Sequence, residues 1–167
     1  MTERTTPRAL IVYFTKTGHT LDAANYVAEG LKSAGVDADV VDVEEVEDVA
    51  LDDYAAVAVG SPCHAGSIPM APGVSIPVKV WIEGLPEGCC QGKRGAAFSV
   101  HSWTGGQRTV SSLEASLVSL GAEVPATGVA VKAGVPFSLW RGPEIKDEDA
   151  DRLRNLGEKL GRSLQAC

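Results

Sequence analysis

The sequence predicts a three-layer α/β domain, in which a five-stranded parallel sheet lies between two layers of helices. The first observation is that short apolar runs alternate with segments whose apolar residues recur at helical spacing. The second is that several runs are apolar throughout, such as RALIVYF at 8–14, which is typical of strands buried on both faces of a sheet. The third is size. The 167 residues, 44% of them hydrophobic, suffice for one core, and no repeat or linker divides them, so we expect a single domain over 1–167.

The elements follow in the order β-α-β-β-α-β-α-β-α. The predicted strands are 8–14, 36–43, 54–60, 94–100 and 124–132, and the predicted helices are 18–34, 78–85, 107–120 and 147–164. The alternation of apolar and polar residues in 36–43 indicates an edge strand. Five strands in a chain of this length favour the doubly wound order 2-1-3-4-5. Residues 67–77, with three prolines, predict an ordered loop beside the carboxyl edge of the sheet.

The charge of the chain restricts its partners. The net charge is −7, and much of the acid lies in DVEEVEDVALDD, from Asp42 to Asp53. An acidic surface argues against a nucleic-acid partner. The acidic stretch either keeps the protein soluble, or steers a basic partner towards it or repels anions. No run approaches the ~20 apolar residues of a membrane span. The N-terminal MTERTTPR is polar and does not resemble a signal peptide, so we expect a cytoplasmic protein.

The four cysteines do not predict a metal site. Cys63, Cys89, Cys90 and Cys167 form neither a CxxC pair nor a zinc pattern. Cys89 and Cys90 are adjacent and do not bridge to each other without strain. In a cytosolic chain we therefore expect free thiols, and the role of each remains open.

The loop TKTGHT, residues 15–20, joins the first predicted strand to the first predicted helix. Ligands of open α/β sheets bind beyond the carboxyl ends of the strands, where a helix N-terminus presents N–H groups and a partial positive charge. The hydroxyls of Thr15, Thr17 and Thr20 suit phosphate oxygens, and Gly18 lets the backbone approach an anion closely. The alternative is that these residues simply cap a helix. Three threonines with a glycine between them favour the phosphate site.

The stretch IVYFTKTGHTLDAANYV, residues 11–27, resembles the signature of the flavodoxin family. Its fixed positions are occupied by Ile11, Val12, Tyr13, Thr15, Gly18, Thr20, Ala24 and Val27. The resemblance implies FMN as the cofactor and a short-chain flavodoxin-like fold. It implies that the phosphate of FMN is wrapped by Thr15, Lys16, Thr17, Gly18, His19 and Thr20. Lys16 and His19 stand at variable positions of the signature, and we expect Lys16 to point into water.

Two further loops border the flavin ring in proteins of this family. After the third strand, the resemblance makes candidates of Ser61, Pro62, Cys63, His64, Ala65 and Gly66. The peptide of Gly66 is the candidate to offer its carbonyl to the reduced flavin N5–H. Cys63 is either a redox thiol or a small packing residue, and His64 either tunes the flavin or lies on the surface.

After the fourth strand, the candidates are His101, Ser102, Trp103, Thr104, Gly105 and Gly106. Trp103 suits stacking on the flavin, with ordinary packing as the alternative. The GGQ stretch is similar to one in the NAD(P)H:quinone oxidoreductase branch of the superfamily. On that reading Arg108 meets a nicotinamide phosphate, and otherwise it faces solvent.

The resemblance implies an electron carrier in which the flavin does the chemistry and no side chain is a catalytic acid or base. Its partner is then a redox protein or a small electron donor or acceptor. Two alternatives stay open: an FMN-dependent NAD(P)H or quinone oxidoreductase, with its pocket at a subunit interface, and a module that kept the fold and lost the flavin. The sequence names neither the partner nor the flavin potentials nor the oligomeric state.

Overall fold

The computed structural model describes residues 5–65, 72–134 and 142–166. Its elements in chain order are β1 (Arg8–Tyr13), α1 (His19–Ser33), β2 (Asp37–Asp42), β3 (Ala56–Ala65), β4 (Pro72–Val74), α2 (Ile76–Gly84), β5 (Arg94–His101), α3 (Gly106–Ser119), β6 (Val129–Lys132) and α4 (Asp147–Gln165). The acidic stretch between β2 and β3 forms two short 3-10 helices, Val46–Asp48 and Leu51–Asp53. None of the helices among these residues is long and apolar enough to cross a membrane.

The main sheet has the order β2-β1-β3-β5-β6, and every neighbouring pair in it is parallel. This is the predicted order 2-1-3-4-5, because the inserted β4 takes a number without entering the row of five strands. The predicted edge strand, β2, lies at one edge of the sheet. The doubly wound, three-layer architecture is therefore confirmed.

The two faces of the sheet are covered by different helices. Alternate side chains of a strand point to opposite faces. Ile11 of β1 packs in the apolar cluster of α1 and α4, whereas Leu10 and Val12 pack in the cluster of α2 and α3. Strands β1 and β5 and residues 56–61 of β3 are almost wholly buried, which explains why they lack an alternating pattern in the sequence.

Helices α1 and α4 approach each other closely through glycines. A Cβ added to Gly30 would lie 1.9 Å from the backbone oxygen of Arg154, and one added to Gly157 would lie 2.0 Å from that of Val27. A Cβ on Gly161 would come within 2.7 Å of the Cβ of Ala34. The absence of side chains at these positions sets the spacing of the two helices.

The predictions for the third strand and the following loop were wrong in extent. The strand predicted at 54–60 runs to Ala65, and Pro72–Val74 of the predicted 67–77 loop forms β4, which pairs with it in antiparallel register. The helix predicted at 78–85 begins at Ile76. Residues 67–71 lie outside the described part of the chain. The hairpin pairing gives the extension of β3 a partner beyond the end of β1.

The last strand is shorter than predicted. Only Val129–Lys132 of the predicted 124–132 is a strand. Pro125 has no N–H to donate to a ladder. The N–H of Gly128 donates to the carboxylate of Glu114 at 2.5 Å and not to a neighbouring strand.

Candidate functional site

Three neighbouring strands, β1, β3 and β5, run in parallel towards the carboxyl edge of the sheet. In the register of the sheet, Tyr13 of β1 is opposite Gly60 of β3, and Gly60 is opposite Phe98 of β5. The N–H of Phe14 donates to the carbonyl of Gly60 at 3.3 Å. The three segments that the sequence singled out, 15–20, 61–66 and 101–106, therefore begin at one edge, although Gly66 lies outside the described residues.

The first of these segments opens α1 with a glycine. Gly18 is the N-cap, its φ is 93°, and no side chain caps the helix. The Oγ1 of Thr15 accepts a hydrogen bond from the N–H of Gly18 at 2.9 Å, so its own hydroxyl proton can donate to an anion in the loop. With no side-chain oxygen at the cap position, the start of this helix suits the phosphate of a nucleotide. The loop fits the phosphate of the implied FMN.

The other loop residues differ in burial. Lys16 is exposed, as expected for a side chain that points into water. Thr17 is half-buried, and Thr20 is 2% exposed. These positions allow a tight backbone loop with polar side chains on both sides of Gly18.

His19 has neighbours that the sequence did not predict. Its side chain is buried, and its Nδ1 lies 3.9 Å from a carboxylate oxygen of Asp22 and 3.9 Å from one of Glu144. The three potential ligand atoms of this group lie within 4.8 Å of one another. Glu144 precedes α4 and is far from His19 in sequence, so no local pattern indicates the contact. The ring of His19 therefore links the loop 15–20 to the segment before α4.

Ser61 and Cys63 on the extension of β3 have defined partners. Ser61 is buried, and its Oγ accepts from the N–H of Ser75 at 2.9 Å and lies 3.1 Å from the Oγ of Ser75. The thiol of Cys63 donates to the carbonyl of Thr104 at 3.3 Å. The Ser61 hydroxyl therefore joins the extension of β3 to Ser75, which follows β4, and the Cys63 thiol contacts the loop after β5. Pro62 is half-buried, and only the backbones of His64 and Ala65 are described.

The loop after β5 presents an exposed indole. Trp103 is 66% exposed, Thr104 is exposed and Ser102 is half-buried. The loop ends at Gly105, the N-cap of α3, whose φ is 89° and which provides no side-chain cap. Arg108, in the first turn of α3, is exposed. A large flat apolar side chain at the edge, unburied by the protein, suits stacking on a planar ligand.

His101 packs towards β6. Its Nδ1 lies 3.2 Å from the carbonyl oxygen of Val131, and a Cβ on Gly106 would come within 2.8 Å of that nitrogen. Burial lowers the pKa of His101 from its ordinary value, the charge of Lys132 lowers it further, and Asp149 opposes both. The small size of Gly106 makes room for the imidazole, and the lowered pKa of His101 favours its neutral form.

Sequence comparisons give a consistent result. The sequence profile described as Flavodoxin matches residues 11–136. A flavodoxin of Clostridium saccharobutylicum is 26% identical over 159 residues, which cover 93% of this chain and 96% of the relative. A flavodoxin of Aquifex aeolicus is 30% identical over 164 residues, which cover 92% of this chain and 84% of the relative.

Solved structures agree in fold. A flavodoxin from the domain Archaea is 22% identical and superposes with a TM-score of 0.72, covering 95% of this chain and 99% of that one. The rubredoxin oxygen:oxidoreductase of Desulfovibrio gigas is 24% identical with a TM-score of 0.72, but the match covers 36% of that chain. The present fold therefore corresponds to a whole small protein in one case and to part of a larger one in the other.

Proposed function

The chain belongs to the flavodoxin family, and from that premise we propose that it holds FMN at the carboxyl edge of the sheet and carries electrons between redox partners. Its cofactor is FMN, and its function is electron transfer through the bound flavin. The observation that carries the proposed position is the start of α1. A glycine-capped helix N-terminus with a threonine hydroxyl beside it follows the interior strand β1.

The phosphate is assigned to residues 15–20. The backbone around Gly18 approaches the anion, and the hydroxyl of Thr15 donates to it. The positive end of the α1 dipole adds electrostatic attraction. The exposed Lys16 contributes at most a long-range charge. On this assignment His19 stabilises the position of the loop through its contacts with Asp22 and Glu144.

The flavin ring is assigned to the extension of β3 and to the loop after β5, which are joined by the hydrogen bond from Cys63 to Thr104. The exposed indole of Trp103 stacks on one face of the ring, and the glycine pair Gly105 and Gly106 lets the backbone pass close by. Ser102 and Pro62 to Ala65 of the β3 extension complete the described part of the candidate set, and Gly66, outside the described residues, stays a candidate by the resemblance alone. When bound, the flavin supplies the electron-transfer chemistry, and the protein positions it and tunes its potential.

The acidic surface supports a carrier that meets a basic partner. Glu44, Glu45 and Glu47 are exposed just beyond the end of β2. Their negative charge disfavours any gain of negative charge on a nearby ring, which lowers its reduction potential.

We also propose a cytoplasmic location, because Cys63, Cys89 and Cys90 are free thiols, as a reducing compartment keeps them.

The proposal is tested by comparing FMN with riboflavin, which lacks the phosphate. The apoprotein is titrated with each compound while the flavin fluorescence is recorded. We expect FMN to bind at least about tenfold more tightly, since phosphate contacts at a helix start are charge-assisted. Equal affinities would place the phosphate elsewhere.

A second experiment separates a carrier from an NAD(P)H or quinone reductase. The holoprotein is reduced stepwise without oxygen, and its visible spectrum is followed. Two resolved one-electron steps, with no oxidation of NADH or NADPH, support the carrier. A single two-electron step together with rapid NAD(P)H oxidation supports the reductase.

A further inference from the structure

Two adjacent cysteines lie in the turn between α2 and β5, at the edge of the sheet opposite the proposed flavin site. The Sγ atoms of Cys89 and Cys90 are 3.7 Å apart and share a hydrogen bond. Cys90 is 1% exposed and belongs to the core, whereas Cys89 is half-buried and reaches the surface. The pair therefore has one anchored thiol and one accessible thiol.

The backbone holds this turn firmly. The N–H of Cys90 donates to the carbonyl of Leu120 at 3.0 Å, and the carbonyl of Cys90 accepts from the N–H of Lys93 at 3.0 Å. Gly88 and Gly92, with φ values of 73° and 78°, make the tight bends on either side. The backbone that carries the two cysteines is therefore bonded both to itself and to the end of α3, and their sulfurs lie side by side.

We propose that Cys89 and Cys90 form a chelating site for a thiophilic divalent metal ion of the Zn²⁺ and Cd²⁺ class. A tetrahedral ion with metal–sulfur bonds of about 2.3 Å places two of its sulfur ligands about 3.8 Å apart. The observed 3.7 Å meets this requirement almost without movement. The sequence alone gave no such indication, because adjacent cysteines match no zinc pattern.

A disulfide fits the pair less well. Adjacent α-carbons are held about 3.8 Å apart by the peptide bond, whereas disulfides usually join α-carbons 4.4–6.8 Å apart. Closing the bond would also require the sulfurs to approach by more than about 1.5 Å, since an S–S bond is about 2.05 Å long. Chelation leaves the observed backbone intact.

The coordination step is balanced by proton release. Two S–H bonds break, two metal–sulfur bonds form, and two protons pass to solvent for each ion bound. No His, Asp or Glu among the described residues joins the pair in a three-ligand group, so the remaining positions fall to water or an added small ligand.

The test uses Cd²⁺ as the probe on the reduced, FMN-loaded full chain. Cadmium thiolates absorb in the ultraviolet, and native mass spectrometry counts the ions bound. We expect one Cd²⁺ per chain with the loss of two protons. In Cys89→Ser we expect the affinity to fall by more than about tenfold, since even outer-shell changes cost that much at metal sites. The matched control Gln91→Ser, an exposed residue of the same turn whose replacement leaves both thiols in place, should bind Cd²⁺ as the wild type does.

A second measurement on the wild type does not depend on any variant. Alkylation of each cysteine is followed by peptide mass, with and without Cd²⁺. Protection of Cys89 without protection of Cys63 supports the site. An unchanged thiolate band in Cys89→Ser, or equal protection of the two cysteines, overturns it. The FMN content of Cys89→Ser is measured alongside, so that failure of this site and failure of the flavin site are told apart.

Discussion

Gly18 adopts a backbone conformation that other residues enter only with strain. Its φ of 93° lies in the left-handed region, at the start of α1. We predict that Gly18→Ala raises the Kd for FMN about 5- to 30-fold, because a Cβ there costs about 1–2 kcal/mol and displaces the loop. Fluorescence titration of the apoprotein measures the change.

The matched control for Gly18→Ala is Gly92→Ala. Gly92 has a similar φ of 78°, and a Cβ on it would meet nothing within 4 Å. It lies at the opposite edge of the sheet, before β5. The control should lose similar stability and keep the FMN affinity. An equal loss of FMN affinity in both variants would mean that global destabilisation, and not the phosphate loop, is being measured.

His101 makes stability depend on pH in a definite direction. Burial and the charge of Lys132 lower the pKa of the folded imidazole, and Asp149 opposes both. Between that pKa and the unfolded value of about 6.5, the unfolded chain therefore binds more protons than the folded chain does. Stability should therefore rise with pH through this window and fall as the pH drops below about 6.5. Urea unfolding at saturating FMN, from pH 5 to pH 8, should show a smaller loss at low pH in His101→Asn than in the wild type. Parallel curves for the two proteins would contradict the prediction.

At the scale of single residues, the sequence predicted the residue types of the candidate site better than it predicted which residues contact one another. The glycine and threonines of 15–20 were identifiable because the sharp turn and the helix start require those residue types locally. The burial of His19 against Glu144 was not, since the two residues meet only after the segment before α4 returns to the same edge. The roles predicted for the candidate flavin ligands stay predictions until the titrations are done.

The packing of α1 on α4 depends on the lack of a side chain at Gly157. An added Cβ would lie 2.0 Å from the backbone oxygen of Val27, so the helices would have to separate. Alanine favours a helix over glycine by about 1 kcal/mol, but overpacking costs about 1–3 kcal/mol or more, and here the obstacle is backbone. We predict that Gly157→Ala lowers the free energy of unfolding by about 1–2 kcal/mol, as measured by urea denaturation.

The control for the helix pair is Gly84→Ala. Gly84 ends α2, and a Cβ there would meet nothing within 4 Å. This variant should be neutral or gain up to about 1 kcal/mol, because only the helix propensity changes. If Gly157→Ala were as stable as Gly84→Ala, the close approach of α1 and α4 would not be required for folding.

Among the elements, those with a strong pattern were predicted and the hairpin was not. The buried strands and the amphipathic helices were found within a few residues, because burial on two faces or on one stripe fixes their composition. The extension of β3 and the whole of β4 were missed, since prolines at 62 and 72 argue against a strand. Pairing beyond the edge of the main sheet and the bonds between Ser61 and Ser75 outweigh that local preference.

The whole molecule combines a doubly wound parallel sheet with acidic side chains at both of its edges. The strand order follows from the alternation of strands and helices, since right-handed crossovers leave few arrangements of a parallel sheet. The distribution of acid relative to that sheet could not be read before the strand ends were placed. In the structure the exposed Glu44 and Glu45 follow the end of β2, on the same edge as the proposed flavin site, whereas Asp37 begins β2 at the opposite edge.

The position of Glu44 and Glu45 at the carboxyl edge predicts how fast charged oxidants react with the reduced protein. In water a unit charge about 10 Å away contributes about 0.4 kcal/mol, so removing two charges near the flavin changes a rate about fourfold. In a variant with Glu44→Gln and Glu45→Gln, stopped-flow oxidation by a cationic metal complex should slow by that factor at low salt, and oxidation by an anionic complex should accelerate.

The control, with Asp37→Asn and Glu87→Gln at the opposite edge, changes the net charge equally and should alter both rates much less. Above about 0.1 M salt, where the screening length is about 10 Å, the differences should shrink. Equal effects of the two variants would mean that net charge alone, and not acid at the carboxyl edge, governs the approach of partners.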